Sequence, residues 1–229
     1  MKTNIPPSGA RVALVTGASR GIGQAIAEAL QKRGDIVLTP TRKDLDLSCD
    51  DSVLAWLNAG QQDIDILVNN AGENPISPLD QVGLEEWHHA ITVNLTAPML
   101  LMQGLGRKMC SRNWGRIVNV SSCYSIVART GRASYGAAKS GLNSLTRSAA
   151  LEFASCGVLV NTVLPGFVET DLTNQNNSAD QIRELVSKIP LGRLAQPTEV
   201  ARLVSFLTSS ENTYITGHAL VIDGGFLIQ

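Results

Sequence analysis

The amino-acid sequence predicts an α/β fold, a doubly wound parallel sheet of about seven strands with helices on both faces. Two observations from the pattern predict it. Short β-branched apolar runs alternate with amphipathic stretches from Arg11 onward. The runs are nearly continuous in apolar residues, as strands buried on both faces are. The size agrees: 229 residues, 44% of them hydrophobic, suit one α/β domain. A domain of this size buries roughly 70–75% of its unfolded surface.

Each element follows in order. Met1–Ala10 contains Pro6, Pro7 and Gly9 and lacks an apolar signal core, so it reads as a flexible tail. Arg11–Thr16 (RVALVT) is the first strand, followed by glycines and a helical pattern over Ile22–Lys32. Ile36–Thr39 (IVLT) is the second strand. Only Pro40–Asp50 (PTRKDLDLSCD) separates it from a helix near Asp51–Ala59. A βαβ crossover needs a dozen or more residues. The crossover helix is therefore expected to be missing or reduced to a turn, with Asp44–Leu47 as a short third strand. Ile64–Asn69, Arg116–Val120, Val158–Leu164 and Ala219–Ile222 supply the remaining strands. Leu84–Met109, Ser134–Ser155, Ala179–Lys188 and Thr198–Ser209 are the helices between and beyond them. No linker divides residues 11–229, which read as a single domain.

Charge and cysteine usage exclude several function classes. The net charge of −1 offers no basic field to nucleic acid or an anionic membrane. No apolar run approaches the roughly 20 residues of a membrane span. Cys49, Cys110, Cys123 and Cys156 are scattered without a C-x-x-C pair, as expected of reduced thiols in a cytoplasmic protein. His88 and His89 are adjacent and diverge by about 100° on a helix. They cannot grip one metal, and no metal site is expected.

Gly17-Ala18-Ser19-Arg20-Gly21-Ile22-Gly23 follows the first strand and opens the first helix. Glycines there permit a tight turn and close backbone approach to a pyrophosphate, and the helix N-terminus offers free N–H groups. The domain is thus read as dinucleotide-binding. The same letters spell G-x-S-x-G, a hydrolase nucleophile elbow, with Asp171 and His218 following in triad order. That elbow belongs in mid-sheet, after several strands. Here ten residues precede the first strand, so no earlier strand can supply an oxyanion loop.

Tyr135 and Lys139 stand four residues apart on a predicted helix, neighbours on one face. A tyrosine near its ordinary pKa of about 10 is a poor proton donor at neutral pH. A nearby ammonium is expected to lower it. Ser122 lies thirteen residues before Tyr135, just past the strand Arg116–Val120. Strand C-termini and the helices after them meet at the ligand crevice of a parallel sheet, so Ser122 and Tyr135 can converge there. Asn94 is a polar residue within the apolar stretch Ala90–Leu101.

At this point the chain closely resembles the short-chain dehydrogenase/reductase family. The blocks are TGASRGIG at Thr16–Gly23, NNAG at Asn69–Gly72, Asn94, NVSS at Asn119–Ser122, YGAAK at Tyr135–Lys139, PGFVETD at Pro165–Asp171 and YITGHALVIDGG at Tyr214–Gly225. They occur in family order over nearly the whole chain. The resemblance implies a Rossmann-type catalytic domain that moves a hydride between nicotinamide and a ketone or secondary alcohol. It implies Tyr135 as general acid or base and Lys139 on the nicotinamide ribose. Ser122 would hold the carbonyl, and Asn94 would support a proton relay. For the cofactor it implies Gly17, Ser19, Arg20, Gly21, Ile22 and Gly23 at the pyrophosphate. Asn70, Ala71 and Gly72 would lie beside the adenosine, and Asp46 and Leu47 would flank adenine. Pro165, Gly166, Val168 and Thr170 would lie at the nicotinamide.

An acid at the end of the second strand would select NAD. By register that position is Thr41, followed by Arg42, with Arg20 in the glycine turn, so NADP(H) is favoured. The blocks resemble most the 3-oxoacyl-acyl-carrier-protein reductases, which implies an acyl-thioester or similar ketone. Two departures stand out. The basic positions where that subgroup receives a carrier protein are Asn113 and Cys156 here, with Arg112 able to replace the first. Arg129 and Arg132 stand beside the catalytic Tyr, either as solvated loop charges or as attractors of an acidic substrate group. A sugar, sterol or cyclic-alcohol dehydrogenase is the alternative within the family. A non-catalytic nucleotide sensor would have no need of the acid. The polar segment Leu172–Ile189 would form a lid. A homodimer or homotetramer is expected, with apolar surplus at Leu142, Leu145, Leu151 and Phe153.

Overall fold

In a computed structural model, residues 9–60, 63–175 and 177–228 are described. Most of the expected tail lies outside them. The sheet begins with β1 (Val12–Val15), and α1 (Gly21–Arg33) leads to β2 (Ile36–Leu38). Helix α2 (Asp50–Asn58) precedes β3 (Ile66–Asn69). Next come α3 (Leu84–Ile91), α4 (Ala97–Ser111) and β4 (Gly115–Val120). Helix α5 (Ala133–Phe153) leads to β5 (Val158–Pro165). The chain continues with α6 (Asp171–Gln175), α7 (Ala179–Ser187), α8 (Pro197–Leu207) and β6 (Ala219–Ile222). The strands form one parallel sheet in the order β2-β1-β3-β4-β5-β6.

The sheet has six strands among the described residues, one fewer than expected. The difference is Asp44–Leu47, which is not a strand. Thr41 donates its backbone N–H and its hydroxyl to Asp44 Oδ2 (3.0 and 2.7 Å). The N–H groups of Asp44 and Leu45 return to the Thr41 carbonyl (3.0 and 2.9 Å). These local bonds wind the segment into a turn, as short polar side chains do when they compete for the backbone. Strand β2 is therefore left as the sheet edge.

The stretch expected as one helix over Leu84–Met109 is broken by a π-helical turn at Thr92–Thr96. Pro98 is the cause. It has no N–H for the Asn94 carbonyl four residues upstream, and its ring crowds that carbonyl. The ladder widens instead, and Ala97 N–H reaches Thr92 O. The family-matching Asn94 thus sits where the helix is forced open.

Apolar side chains fill both faces of the sheet. Leu14, Leu67, Ile117 and Val160 pack with α2, α4 and α5, while Ala13, Val15, Val118 and Val163 pack with α1 and α8. The apolar surplus expected for oligomer contacts is mostly intramolecular. Leu142 is buried, and Leu145 and Phe153 pack against the same core. Leu151 alone of the four is exposed, at 83%.

A buried polar chain fixes α5, and with it the Tyr–Lys pair, onto the sheet. Asn69 Nδ2 donates to Asn119 Oδ1 (2.8 Å), and Asn119 Nδ2 donates to Thr146 Oγ1 (2.8 Å). Thr162 also donates to Thr146 Oγ1 (2.7 Å), which itself donates to the Leu142 carbonyl (2.8 Å). Thr146→Val keeps the shape but removes the shared acceptor. A buried donor left unmade costs about 1–3 kcal/mol. Urea denaturation should therefore show a loss of about 2 kcal/mol or more. An unchanged midpoint would mean that the chain does not hold the helix.

Candidate active site

After β2 the chain crosses back over β1 to form β3 on the other side. The strand order reverses there, and ligands of open α/β sheets bind at such a switch point. A crevice of about 810 Å³ lies there, beyond the carboxyl ends of β1, β3, β4 and β5.

The glycine turn after β1 forms one wall. Gly17 and Gly21 have φ of +66° and +58°, a region that favours glycine. A Cβ on Gly17 would stand 2.8 Å from Ala71 Cα, and one on Gly23 would fall on the Gly17 carbonyl. Asn70 clamps the turn, its Nδ2 donating to the carbonyls of Thr16 and Gly17 (3.0 and 3.2 Å). Thr16 Oγ1 accepts from the N–H groups of Asn70 and Ala71 (3.0 and 3.1 Å). Among the described residues no side chain caps the start of α1, and its first turn holds no acid. Its leading N–H groups can therefore serve an anion.

The opposite wall holds the groups expected to move the proton. Ser122, two residues past β4, accepts from Tyr124 N–H (3.2 Å) and lines the crevice together with Tyr135. Tyr135 is in the first turn of α5, and Lys139 is one turn on. Lys139 is 3% exposed, and its ammonium donates to the Val120 carbonyl (2.9 Å) and lies 5.6 Å from the Tyr135 ring centroid. Ser121 donates to the Lys139 carbonyl (3.1 Å), tying β4 to α5. Asn94 lies behind the crevice, fully buried, with Nδ2 on the carbonyls of Glu73 and Ala90 (3.0 and 2.9 Å). Its Oδ1 has no hydrogen-bond partner among the described residues. A Cβ on Gly72 would stand 2.7 Å from that atom and 3.3 Å from Lys139 Nζ. The buried orphan oxygen and the ammonium thus face the same small gap.

The titration picture differs from the sequence expectation. Burial pushes the Tyr135 phenol up to about 12, with the Ser122 hydrogen bond opposing it. Burial pushes the Lys139 amine down to about 8. Lys139 is not among the groups that bring Tyr135 down. Desolvation of both groups outweighs their mutual effect.

Every residue expected to touch a cofactor lines this crevice except Asp46. The Asp46 carboxylate is taken by Ser48 (2.9 and 2.6 Å) and pairs with Arg42 (3.4 Å). Leu45 lines the crevice beside Leu47 instead. The sequence reading missed Leu45 because it took this segment for a strand. It also missed an aromatic wall, in which Tyr124 meets the Tyr135 ring edge-on at 6.5 Å and Phe167 at 6.1 Å. Phe226 joins Phe167 at 5.1 Å. The signal was available for Tyr124, an aromatic two residues past Ser122.

The carrier-docking positions fall elsewhere. Asn113 lies just before β4 and Cys156 just before β5, at the sheet end opposite the crevice. Arg112 is engaged by Asp63 (3.0 Å) and Asp65 (3.4 Å), so it does not offer the free charge expected of a replacement.

The fold, the glycine turn and the Ser–Tyr–Lys cluster define a dinucleotide-dependent oxidoreductase site. Comparison with known proteins places it further. The enoyl-(acyl carrier protein) reductase family model matches residues 43–227. The 3-oxoacyl-acyl-carrier-protein reductase of Vibrio cholerae is 42% identical over 236 residues, covering 94% of this chain and 96% of its own. That of Escherichia coli is 41% identical with the same coverage. A putative gluconate dehydrogenase from Agrobacterium tumefaciens superposes with a TM-score of 0.90 at 32% identity, over 96% of this chain and 97% of that one. A putative NAD(P)-dependent gluconate 5-dehydrogenase from Beutenbergia cavernae, solved with bound NADP, has a TM-score of 0.89 at 31% identity, over 97% and 98%. The chain belongs to the short-chain dehydrogenase/reductase family and is a NAD(P)-dependent oxidoreductase of ketones. No helix among the described residues is long and apolar enough to cross a membrane.

Proposed function

We propose that this protein reduces a 3-oxoacyl thioester or a closely similar ketone with NADPH. The observation that carries the reading is the convergence of Ser122, Tyr135 and Lys139 on one crevice at the sheet's switch point. The names of the relatives from Vibrio cholerae and Escherichia coli support the substrate class.

A reduced nicotinamide supplies the hydride when bound. The residues fit the group: the glycine turn and uncapped α1 for the pyrophosphate, Pro165 and Gly166 with Val168 and Thr170 for the nicotinamide end. Ser122 donates a hydrogen bond to the substrate carbonyl and orients it. Tyr135 delivers the proton to the same oxygen as it becomes an alkoxide. Lys139 stabilises the phenolate left behind and would hold the nicotinamide ribose. Asn94 Oδ1, buried and without a partner among the described residues, accepts from a water that returns the proton through Lys139. Positioning and preorganised charge do this work.

For the cofactor, Arg20 and Arg42 both line the adenosine end, where Thr41 supplies no charge. Guanidinium groups suit a 2′-phosphate. Asp44 tempers the selection, because its carboxylate is held at this end by Thr41. A homodimer or homotetramer is part of the proposal, with Leu151 as the exposed apolar contact. One observation favours a second reading, a sugar dehydrogenase: two structures with TM-scores of 0.90 and 0.89 are described as putative gluconate dehydrogenases.

The test follows NADPH and NADH oxidation at 340 nm over 3-oxoacyl thioesters, diketones and cyclic ketones. Turnover on a 3-oxoacyl thioester is expected, with NADPH preferred. Arg42→Ala should lower the NADPH-to-NADH ratio of kcat/KM by about tenfold or more, the worth of one charge-assisted phosphate bond. No oxidation on any ketone would end the proposal, and faster NAD-linked oxidation of sugar alcohols would favour the second reading.

A further inference from the structure

Two arginines reach the crevice beside the proton donor, and among the described residues no carboxylate pairs with either. Arg129 donates through Nη1 to the Tyr124 hydroxyl (2.9 Å). Arg132, 6% exposed, donates through Nη1 to the Asn74 carbonyl (2.9 Å), Asn74 Oδ1 (2.8 Å) and the Pro75 carbonyl (3.4 Å). Its Nε and Nη2 donate to no described residue. Neither guanidinium makes an ion pair among the described residues. Two carboxylates also line the crevice. Glu73 is bridged to His89 (2.8 Å), and Asp171 opens α6. Glu184 feels the Arg129 charge but is held by Lys188 (2.6 Å).

A solvated surface charge does not look like this. Burial holds the Arg132 guanidinium below its usual range, Tyr124 raises it, and the Arg129 charge depresses it again. A buried cation facing a second cation is costly unless an anion completes the set. The Tyr124 ring that carries the Arg129 contact meets the Tyr135 ring at 6.5 Å. The cationic pair is therefore one aromatic ring away from the proton donor.

We propose that Arg129, with Arg132 and the Tyr124 hydroxyl, forms an anion-recognising subsite, and that the ketone reduced at Tyr135 carries a carboxylate or a phosphate group. The inference rests on the ketone-reductase reading. The anionic end of the substrate seats on the guanidinium forks, which match the oxygens of either anion. Its carbonyl then reaches Ser122 and Tyr135. Arg132 also ties its loop to Asn74, so Arg129 is the residue to vary.

The experiment measures kcat/KM with NADPH for a matched set: a six-carbon oxo-acid, its methyl ester, its N-acetylcysteamine thioester, and a hydroxyketone phosphate. The wild-type enzyme should prefer a charged member over the neutral ester by at least about tenfold. The acid and the phosphate distinguish the two sources of the anion. Arg129→Gln should raise KM for the charged member and erase most of that ratio. Arg129→Lys should restore part of it, which a merely structural role of Arg129 would not do. Turnover with no preference for charge, or equal loss on charged and neutral members in Arg129→Gln, would overturn the subsite. Absence of turnover on every member would instead overturn the ketone-reductase reading beneath it.

Discussion

Tyr135→Phe lowers kcat for ketone reduction by about a thousandfold, while the cofactor still binds. A positioned general acid contributes about 10²–10⁴ in rate. The phenyl ring keeps the edge-on contact with Tyr124, so the wall of the crevice survives the change. Stopped-flow turnover and NADPH fluorescence titration together check this. A loss below about tenfold would give the proton to another donor. The pH dependence has a defined sign. With Tyr135 pushed up to about 12, its acid form persists through the physiological range. Lys139, pushed down to about 8, loses its charge first. The kcat/KM for reduction is therefore flat at neutral pH and falls above about 8, because it reports groups of the free enzyme. A fall beginning only near 12 would remove Lys139 from the reaction.

Lys139→Met should make the protein more stable and less active at once. The ammonium is buried with one carbonyl acceptor, and no carboxylate pairs with it among the described residues. Its folded pKa of about 8 lies below the ordinary 10.5. Between those values the unfolded chain binds more protons, so stability rises with pH through that window. Below about 8 the full cost applies, about 3 kcal/mol at roughly 1.4 kcal/mol per unit. Methionine matches the stem length and carries no charge. The variant's Tm at pH 7 should rise by about 6–12 °C, since about 1 kcal/mol shifts a domain of this size by 2–4 °C. Its advantage should shrink as pH approaches 10. Turnover should fall at least a hundredfold, by the logic of preorganised charge. A lower Tm at pH 7 would show instead that the ammonium helps to hold the fold.

The fold was legible where local pattern and tertiary outcome share a cause. Val12–Val15, Gly115–Val120 and Val158–Pro165 are rich in apolar residues because both faces of the sheet are covered. Their periodicity announced that cover. The glycine turn was legible because Gly17, Gly21 and Gly23 answer steric demands of the backbone itself. Asp44–Leu47 was misread as a strand because its outcome depends on side-chain oxygens closing a turn, not on apolarity. The break at Thr92–Thr96 was missed although Pro98 stood in plain view, since a π-turn keeps the apolar face nearly in phase.

By itself, the sequence determined the sheet, the turn for the dinucleotide and the i,i+4 spacing of Tyr135 and Lys139. These rest on periodicity and steric rules that act over a few residues. Only the tertiary structure decided how those groups behave. It brought Ser122 and Tyr135 to one crevice, drove the two titrations apart through burial, and left Asn94 Oδ1 without a partner among the described residues. It also turned Arg129 and Arg132 toward the crevice while engaging Arg112 at the far end of the sheet. Desolvation and charge depend on what surrounds a group in three dimensions, and residues distant in the chain supply those surroundings.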